Sequence, residues 1–354
     1  MCRVMTAPSS VLQDRAPRAA AVSVVIGYGR AGRDLHHRSL RELAARGVVG
    51  GEVIIVDRVR PAGLTVGDRW MPDLAACVAA LPDLGAAVFH VAVPVAEHHS
   101  VVVALLDAGA RQIVLEKPMA ETAVAARTLV DLARRAGARL VPMAVWPSSA
   151  VTREVRRAID DGRVGRPVIL RMEQSKPRYQ RTLDDAAHRS PFEIEMPHQV
   201  LLALDLCGPV ERVDDVRCWP MAFGEIELTN AGGAMVRLVH RGGAVSALVS
   251  DLTSPVRIRR LYIEGESNAV TAHFPISSDD HVGHVLVAGD PAPLRMRDAP
   301  LTQFLAEAYR YFDGRRPDPP TGVELHLEAM EVLETAAAMA DSGPAYQQNG
   351  GFPW

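Results

Sequence analysis

A glycine-rich hexapeptide constrains the fold of this chain more than any other feature of its sequence. Gly27-Tyr28-Gly29-Arg30-Ala31-Gly32 follows the apolar run of residues 21–26, and helical spacing continues over residues 30–46. In such a G-x-G-x-x-G motif the first glycine makes a tight turn and the second lets the backbone approach a pyrophosphate. The third lets the helix pack on the strand, and the helix amino end adds partial positive charge. The motif predicts a dinucleotide-binding βαβ unit, with a plain glycine turn as the alternative.

An acidic residue at the end of the next strand supports the dinucleotide interpretation. Asp57 closes the β-branched run of residues 52–56. A carboxylate there accepts hydrogen bonds from the adenosine ribose hydroxyls and repels a 2′-phosphate, which favours NAD over NADP. Arg58 follows directly and could stack on adenine or pair with a 2′-phosphate, so NADP stays open.

The first part of the chain alternates short apolar strands with helices. After the two strands above, further runs cover residues 86–93, 112–115 and 139–145, with helical spacing over residues 97–108 and 121–136. Continuous apolar strands alternating with helices are typical of a parallel sheet covered on both faces. We predict a doubly wound α/β domain over residues 21–146.

The pattern changes after residue 146. Helical spacing over residues 151–160 and 195–207 precedes a block of strands that continues to Leu286, and we interpret Gly232-Gly233 and Gly242-Gly243 as hairpin turns. Two more helices follow, over residues 301–313 and 324–341, and these could pack back on the first domain. The pattern predicts an α+β domain with an antiparallel sheet over residues 147–342. Residues 1–20 and 343–354 read as disordered tails.

Lysine is rare in this chain, and its position is informative. Only Lys117 and Lys176 are lysines among 39 Lys and Arg residues. A lysine ammonium can be tuned into the useful pH range, whereas arginine stays protonated. Lys117 follows the strand of residues 112–115, and strand ends are where α/β sheets place their chemistry. A solvent-facing lysine is the alternative.

Charge and composition exclude several classes of protein. A net charge of −3 gives no basic footprint for nucleic acid or membrane surfaces, and no stretch approaches 18 uninterrupted apolar residues. The four cysteines are scattered without metal-ligand spacing, so we expect no metal site, no disulfide framework and a cytoplasmic location.

With these motifs established, the chain resembles the Gfo/Idh/MocA oxidoreductases, the family of glucose-fructose oxidoreductase and inositol dehydrogenase. The resemblance runs over residues 22–342 and rests on the glycine motif, Glu116-Lys117-Pro118, residues 93–98, residues 162–167 and residues 260–265. It implies a Rossmann domain plus a large open-faced, mostly antiparallel sheet, often buried in a homodimer or homotetramer. It also implies hydride transfer between NAD or NADP and a carbinol of a sugar or cyclitol. The residues it assigns to the cofactor, beyond the motif, Asp57 and Arg58, are Val93, Pro94, His98, Glu116 and Lys117.

The resemblance also assigns catalytic roles. Lys117 would stabilise the alkoxide and shuttle its proton, with a pKa lowered from about 10.4 toward neutrality. The family's second group is a histidine with an aspartate four residues earlier. His198 matches the histidine, but Ile194 stands in the aspartate's place, so we propose Glu195, three residues before, as its partner. A core role for His198 and a helix-capping role for Glu195 are the alternatives.

A cation-rich segment over residues 171–181, which continues to His188 and Arg189, suggests the substrate. Arginine forks suit phosphate groups, which suggests a phosphorylated or nucleotide-linked sugar, with an ordinary solvated loop as the alternative. The candidate substrate ligands are Lys176, Arg178, Tyr179 and Arg181. His36 and His37, in the first helix, read as surface or packing residues. Three other functions stay open: a dinucleotide-binding regulatory protein without turnover, a lyase or hydrolase that uses transient oxidation by bound NAD, and an imine reductase.

Overall fold

The computed structural model describes residues 22–184, 190–277 and 281–342. These described residues separate into two compact units, one within residues 22–148 and 299–327 and the other within residues 149–298 and 328–342. The late helix that starts at Pro300 therefore belongs to the first unit. Both predicted tails, residues 1–20 and 343–354, lie outside the described residues, as do His188 and Arg189 of the cation-rich segment.

The first unit is built on a six-stranded parallel sheet in the order β3-β2-β1-β4-β5-β6. Its strands are β1 Ser23–Ile26, β2 Val53–Val56, β3 Asp68–Met71, β4 Val88–Val91, β5 Gln112–Leu115 and β6 Arg139–Pro142. Strands β1, β2 and β4 are buried along their whole length, which confirms the predicted doubly wound sheet. The order reverses between β1 and β4, and such a switch point is where open α/β sheets bind ligands.

Helices cover this sheet, and two elements were not predicted. The helices are α1 Arg38–Ala45, α2 Leu74–Ala80, α3 Val95–Asp107, α4 Ala123–Arg135 and α9 Pro300–Phe312. Side chains of α9, Phe304 among them, join the core beside β1 and β2. Strand β3 and helix α2 were not predicted because β3 is a short, half-exposed edge strand that begins with two charged residues instead of forming an apolar run.

The helix predicted over residues 30–46 begins in an unexpected form. Residues Ala31–His37 make a π-helix before α1 starts at Arg38. The π-helix is rare and occurs frequently at functional sites. Both His36 and His37 are buried within it, so the surface interpretation of these histidines is wrong.

The second unit contains an eight-stranded sheet in the order β14-β13-β12-β11-β7-β10-β9-β8. Its strands are β7 Pro167–Ser175, β8 Val210–Phe223, β9 Ile226–His240, β10 Val245–Asp251, β11 Ile258–Gly265, β12 Ala269–His273, β13 Val282–Val287 and β14 Leu294–Arg297. Neighbouring strands are antiparallel except for the parallel pair β7 and β10. This confirms the predicted α+β domain with a mostly antiparallel sheet.

Helices pack against this second sheet. Helix α5, Ala150–Asp160, contacts β12 and β13, and α8, Met196–Cys207, contacts β7 and β10. Gln199 fixes α8 to the sheet by donating from its amide to the Val249 carbonyl at 2.8 Å. The remaining helices are α6 Tyr179–Asp184, α7 Pro191–Ile194 and α10 Val323–Ser342, the last of which spans the division between the units. Polar side chains pair across strands, as in the 3.2 Å contact between Arg260 and Glu173.

The interpretation of Gly232-Gly233 as a hairpin turn is wrong. Both glycines lie inside β9, and the β8–β9 turn falls at Gly224, which has φ of 62°. A Cβ on Gly233 would lie 2.2 Å from the Trp219 ring, which occupies the space above the strand. Gly233 therefore makes room for the indole, while Gly242-Gly243 lies in the turn between β9 and β10 as predicted.

The described residues were also searched for disulfides, metal-ligand clusters and membrane-spanning helices. Cys77, Cys207 and Cys218 are free thiols, and burial raises the pKa of Cys77 to about 11. Across residues 22–184, 190–277 and 281–342, we find no cluster of His, Cys, Asp and Glu arranged for a metal ion. Within the same ranges, no helix has the length and apolarity needed to cross a membrane.

Candidate functional site

The three motif glycines after β1 differ in the space that surrounds them. Gly27 has φ of +85°, and a Cβ on it would lie 2.8 Å from the Ala92 carbonyl oxygen at the end of β4. A Cβ on Gly32 would lie 1.9 Å from the Gly27 oxygen, so the π-helix and the loop touch there. A Cβ on Gly29 would meet nothing within 4 Å. The loop is therefore closed at its first and third glycines and open at its second, where a pyrophosphate would approach.

Asp57 is oriented by backbone donors. Its two carboxylate oxygens accept from the Tyr28 amide at 2.7 Å and from the Val59 amide at 2.9 Å, and Trp70 donates to its carbonyl oxygen at 2.8 Å. Each carboxylate oxygen can accept a second hydrogen bond, which leaves capacity for two ribose hydroxyls. The structure thus joins the glycine loop to the acid predicted to read the ribose. Arg58 is exposed beside Asp57, Arg30 is exposed, and Ala31 is half-buried.

A second hydrogen-bond chain fixes the side chain of Tyr28 in this loop. The Tyr28 hydroxyl lies 2.8 Å from Nδ1 of His37, and Nε2 of His37 lies 2.9 Å from Oδ1 of Asp68. Burial raises the pKa of Asp68, but hydrogen bonds from Thr65 and His37 outweigh it and the pKa ends below its usual range. The ionised Asp68 accepts from His37, which can then accept from Tyr28. No sequence signal marked Asp68, because β3 was not predicted.

At the end of β4, His98 joins two segments that the family resemblance assigned to the cofactor. The imidazole is 1% exposed, with Nε2 lying 3.0 Å from the Val93 carbonyl and Nδ1 lying 3.3 Å from the Met119 carbonyl. Burial lowers the pKa of His98, and the two carbonyls offset part of that shift. Pro94 precedes α3, so His98 ties the start of that helix to the turn that follows Lys117.

The end of β5 presents Glu116 and Lys117. The Glu116 carboxylate lies 2.9 Å from Nε2 of His36 through one oxygen and accepts from the Lys117 amide at 3.2 Å through the other. Burial raises the pKa of Glu116, but His36 and Lys117 lower it by more, so the carboxyl is held ionised. Lys117 is half-buried, and its peptide bond to Pro118 is cis. His36 was missed as a site residue because its partner lies 80 positions along the chain.

In the second unit, Glu195 and Lys176 form an ion pair. Glu195 precedes α8, and its side chain, instead of capping that helix, contacts the Lys176 ammonium. The capping interpretation of Glu195 is therefore wrong. Burial lowers the pKa of Lys176, with Glu195 acting in the opposite direction. The backbone amide of His198 donates to the Glu195 carbonyl at 3.1 Å, and their side-chain pairing stays a prediction.

The other predicted substrate ligands lie near this ion pair in the chain but differ in exposure. Arg178 is buried, Tyr179 is half-buried with its ring 5.8 Å from that of Phe223, and Arg181 is exposed on α6. Tyr179 also packs against a small core cluster that includes Ile194. Part of the cation-rich segment is therefore built into the unit instead of being a solvated loop.

Comparisons with known proteins agree with this geometry. Residues 22–143 match the model of the Gfo/Idh/MocA family, described as an oxidoreductase family with an NAD-binding Rossmann fold. An inositol 2-dehydrogenase from Pseudomonas fluorescens is 31% identical over 162 residues, which cover 44% of this chain and 46% of that protein. One from Pseudomonas savastanoi is 31% identical over 157 residues, with the same coverage. The chain thus spans about half the length of the curated relatives it matches.

Solved structures share the fold over nearly the whole chain. A UDP-N-acetylglucosamine 3-dehydrogenase from Acidithiobacillus ferrooxidans superposes with a TM-score of 0.71 at 19% identity, covering 91% of this chain and 98% of that one. A variant 3-ketoreductase from Actinomadura kijaniata, in complex with TDP-benzene and NADP, gives 0.72 at 13% identity with the same coverage. The part of the chain that carries the glycine loop and the Glu-Lys-Pro strand end thus matches the Gfo/Idh/MocA oxidoreductase family, and the two sheets together have the fold of these solved structures.

Proposed function

We propose that this chain is an NAD(P)-dependent oxidoreductase that acts on a secondary carbinol of a sugar, nucleotide sugar or cyclitol. The observation that carries the proposal is that the glycine loop, Asp57 and Lys117 all follow strands of one parallel sheet, at its carboxyl edge. The names of the relatives support the substrate class, since they include inositol and nucleotide-sugar dehydrogenases.

The residues of the first unit fit a dinucleotide. The open side of Gly29 leaves room for a pyrophosphate beside the backbone, and Asp57 has acceptor capacity for ribose hydroxyls. The residues that would hold the cofactor are Gly27, Tyr28, Gly29, Arg30, Ala31, Gly32, Asp57, Arg58, Val93, Pro94 and His98. The charge of Asp57 favours NAD over NADP. When bound, the nicotinamide accepts a hydride from a carbinol or returns one to a ketone.

Lys117 is the proposed catalytic group of this unit. As an amine it takes the hydroxyl proton of the carbinol, and as an ammonium it stabilises alkoxide character on the same oxygen. Glu116 supports this role by accepting from the Lys117 amide and by placing a negative charge nearby. We assign His198 as the second acid–base group, with Glu195 as its orienting partner.

A substrate screen with matched variants tests the proposal. Purified protein is mixed with nucleotide sugars, free sugars and cyclitols in the presence of NAD or NADP, and the absorbance of reduced nicotinamide is followed. Lys117→Ala removes the amine, whereas Lys117→Arg keeps a positive charge that cannot be given up. We expect Lys117→Ala to lose turnover and Lys117→Arg to restore little of it, because the proton must move.

The screen also separates the alternatives. Dinucleotide binding without turnover of any carbinol would favour a regulatory protein. Product formed without accumulation of reduced nicotinamide would favour a lyase or hydrolase that oxidises its substrate transiently. Turnover of cyclic imines alone, unaffected by Lys117→Ala, would favour imine reduction.

A further inference from the structure

A continuous chain of buried hydrogen bonds leads from the start of β1 to Glu116. The Ser23 hydroxyl lies 2.5 Å from the Tyr309 hydroxyl, which lies 2.9 Å from Nε2 of His90. Nδ1 of His90 lies 2.9 Å from Nδ1 of His36, whose Nε2 lies 2.9 Å from Glu116. Ser23, His90 and His36 are 0% exposed and Tyr309 is 6% exposed, so these contacts are shielded from solvent. All five residues belong to the first unit.

The Glu116 end of this hydrogen-bond chain determines how the protons along it are arranged. Glu116 is held ionised, so it can only accept, and Nε2 of His36 must carry a proton. A neutral His36 then has a lone pair at Nδ1, which requires a proton on Nδ1 of His90. Nε2 of a neutral His90 in turn accepts from Tyr309, and Tyr309 accepts from Ser23. Every contact is satisfied in this arrangement without placing a cation in the core, which would be costly.

The opposite arrangement fails at the carboxylate. If His90 carried its proton on Nε2, a neutral His36 would have to donate from Nδ1 and turn a lone pair toward Glu116. Two acceptors would then face each other at 2.9 Å. Burial and the neighbouring His36 hold the pKa of His90 well below its usual range, so the His90 ring is not protonated at both nitrogens.

We infer that Tyr309, His90 and His36 are positioning residues for the site at Lys117. Their chain sets the His36 tautomer that donates to Glu116, and so keeps that carboxylate aimed at the Lys117 amide. Removing the Tyr309 hydroxyl takes away the donor to Nε2 of His90, so the lone pair on this buried nitrogen loses its partner and the tautomer protonated at Nδ1 loses its advantage at that end. The consequence for turnover rests on the proposed function, whereas the tautomers can be read without it.

Nuclear magnetic resonance of the histidine ring nitrogens reads the tautomers directly. Full-length protein carrying ¹⁵N-labelled histidine is compared as wild type, Tyr309→Phe and Tyr311→Phe. The control removes a hydroxyl from the same helix at a half-buried tyrosine whose ring packs against Arg139. We expect His36 protonated at Nε2 and His90 at Nδ1 in wild type and Tyr311→Phe, and mixed tautomers in Tyr309→Phe. The signals are assigned with His36→Gln and His90→Asn.

Steady-state kinetics on the best carbinol from the screen supplies the functional reading. We expect Tyr309→Phe to lower kcat by roughly 3- to 30-fold with KM and dinucleotide affinity unchanged. His90→Asn, whose amide can donate near the position of Nδ1, should retain more activity than His90→Leu. Circular dichroism and dinucleotide binding show that each variant is folded.

Two results would overturn the inference. One is a wild-type His36 that is protonated at Nδ1 or at both nitrogens. The other is a Tyr309→Phe protein whose tautomers or kcat match those of Tyr311→Phe. A failure of the proposed function has a different signature, because wild type would then bind no dinucleotide or reduce none while its histidine tautomers could still be read.

Discussion

Two alanine substitutions in the glycine loop should separate cofactor binding from folding. At Gly29 the added methyl group meets nothing within 4 Å, and the backbone lies outside the left-handed region. The folded protein should therefore accept Gly29→Ala, and the stiffer unfolded chain should add about 0.4–1 kcal/mol to the free energy of unfolding. At Gly32 the methyl would lie 1.9 Å from a backbone oxygen, so the loop must move. Overpacking of this kind costs about 1–3 kcal/mol.

The effects on the cofactor follow from the same geometry. The Gly29 methyl would occupy the position where the pyrophosphate approaches. We expect it to remove one charge-assisted hydrogen bond between the loop and the pyrophosphate, which is worth about 1.5–3 kcal/mol. That loss corresponds to a dissociation constant for NAD raised by about 10- to 150-fold. Gly32→Ala should weaken NAD binding and lower the melting temperature together.

Calorimetric titration with NAD and thermal unfolding without it give the two quantities for each variant. Gly51→Ala is the matched control, since its methyl also meets nothing within 4 Å and it lies outside the loop. It should leave the affinity for NAD unchanged and raise the free energy of unfolding by about 0.4–1 kcal/mol, as Gly29→Ala does. If Gly29→Ala bound NAD as tightly as wild type, or lost stability as Gly32→Ala does, the assignment of the loop to the pyrophosphate would be refuted.

Three further predictions concern charge, acid stability and packing. Replacing Asp57 with Ser should raise the affinity for NADP relative to NAD by at least about tenfold in the same titration, because the charge that repels a 2′-phosphate is gone; an unchanged ratio would rule out its role. His326 is buried and its pKa is lowered from 6.5 to about 3, so the unfolded state binds its proton first as the pH falls. Below about pH 6.5 the free energy of unfolding therefore falls by up to about 1.4 kcal/mol per pH unit, until about pH 3. Urea titrations should show that the free energy of unfolding falls less steeply with decreasing pH in His326→Leu. Gly233→Ala should lower the free energy of unfolding by about 1–3 kcal/mol, because its methyl would lie 2.2 Å from the Trp219 ring and 2.5 Å from the Ser250 backbone oxygen. In the background Trp219→Leu the part of this penalty that comes from the indole should be lost, and equal penalties in both backgrounds would contradict the packing argument.

The parts of this molecule that could be predicted depend on local sequence. The glycine loop, Asp57 and Lys117 each follow an apolar run that identifies its own strand. In a parallel sheet all such runs end at one edge, so the grouping of these residues follows from topology. The second sheet was predicted from the block of strands after residue 146, and the resemblance to a family added its large, open-faced form.

The parts that could not be predicted depend on contacts between distant segments. Tyr309 lies 286 positions from Ser23 and 219 from His90, and no spacing rule joins them. The ion pair of Lys176 with Glu195 depends on how the segment after β7 returns to α8, which the sequence does not determine locally. Gly232-Gly233 has the composition of a turn, and the contact of Gly233 with the Trp219 indole cannot be predicted until the pairing of β8 with β9 is known.

The most direct test of the central claim follows the hydrogen atom itself. The best carbinol from the screen is prepared with deuterium on the carbinol carbon, incubated with NAD and the protein, and the reduced cofactor is analysed by mass spectrometry. The account predicts that each reduced nicotinamide carries one deuterium and that Lys117→Ala forms little of it. Reduced nicotinamide without deuterium, or deuterated product formed equally fast by Lys117→Ala, would contradict the account.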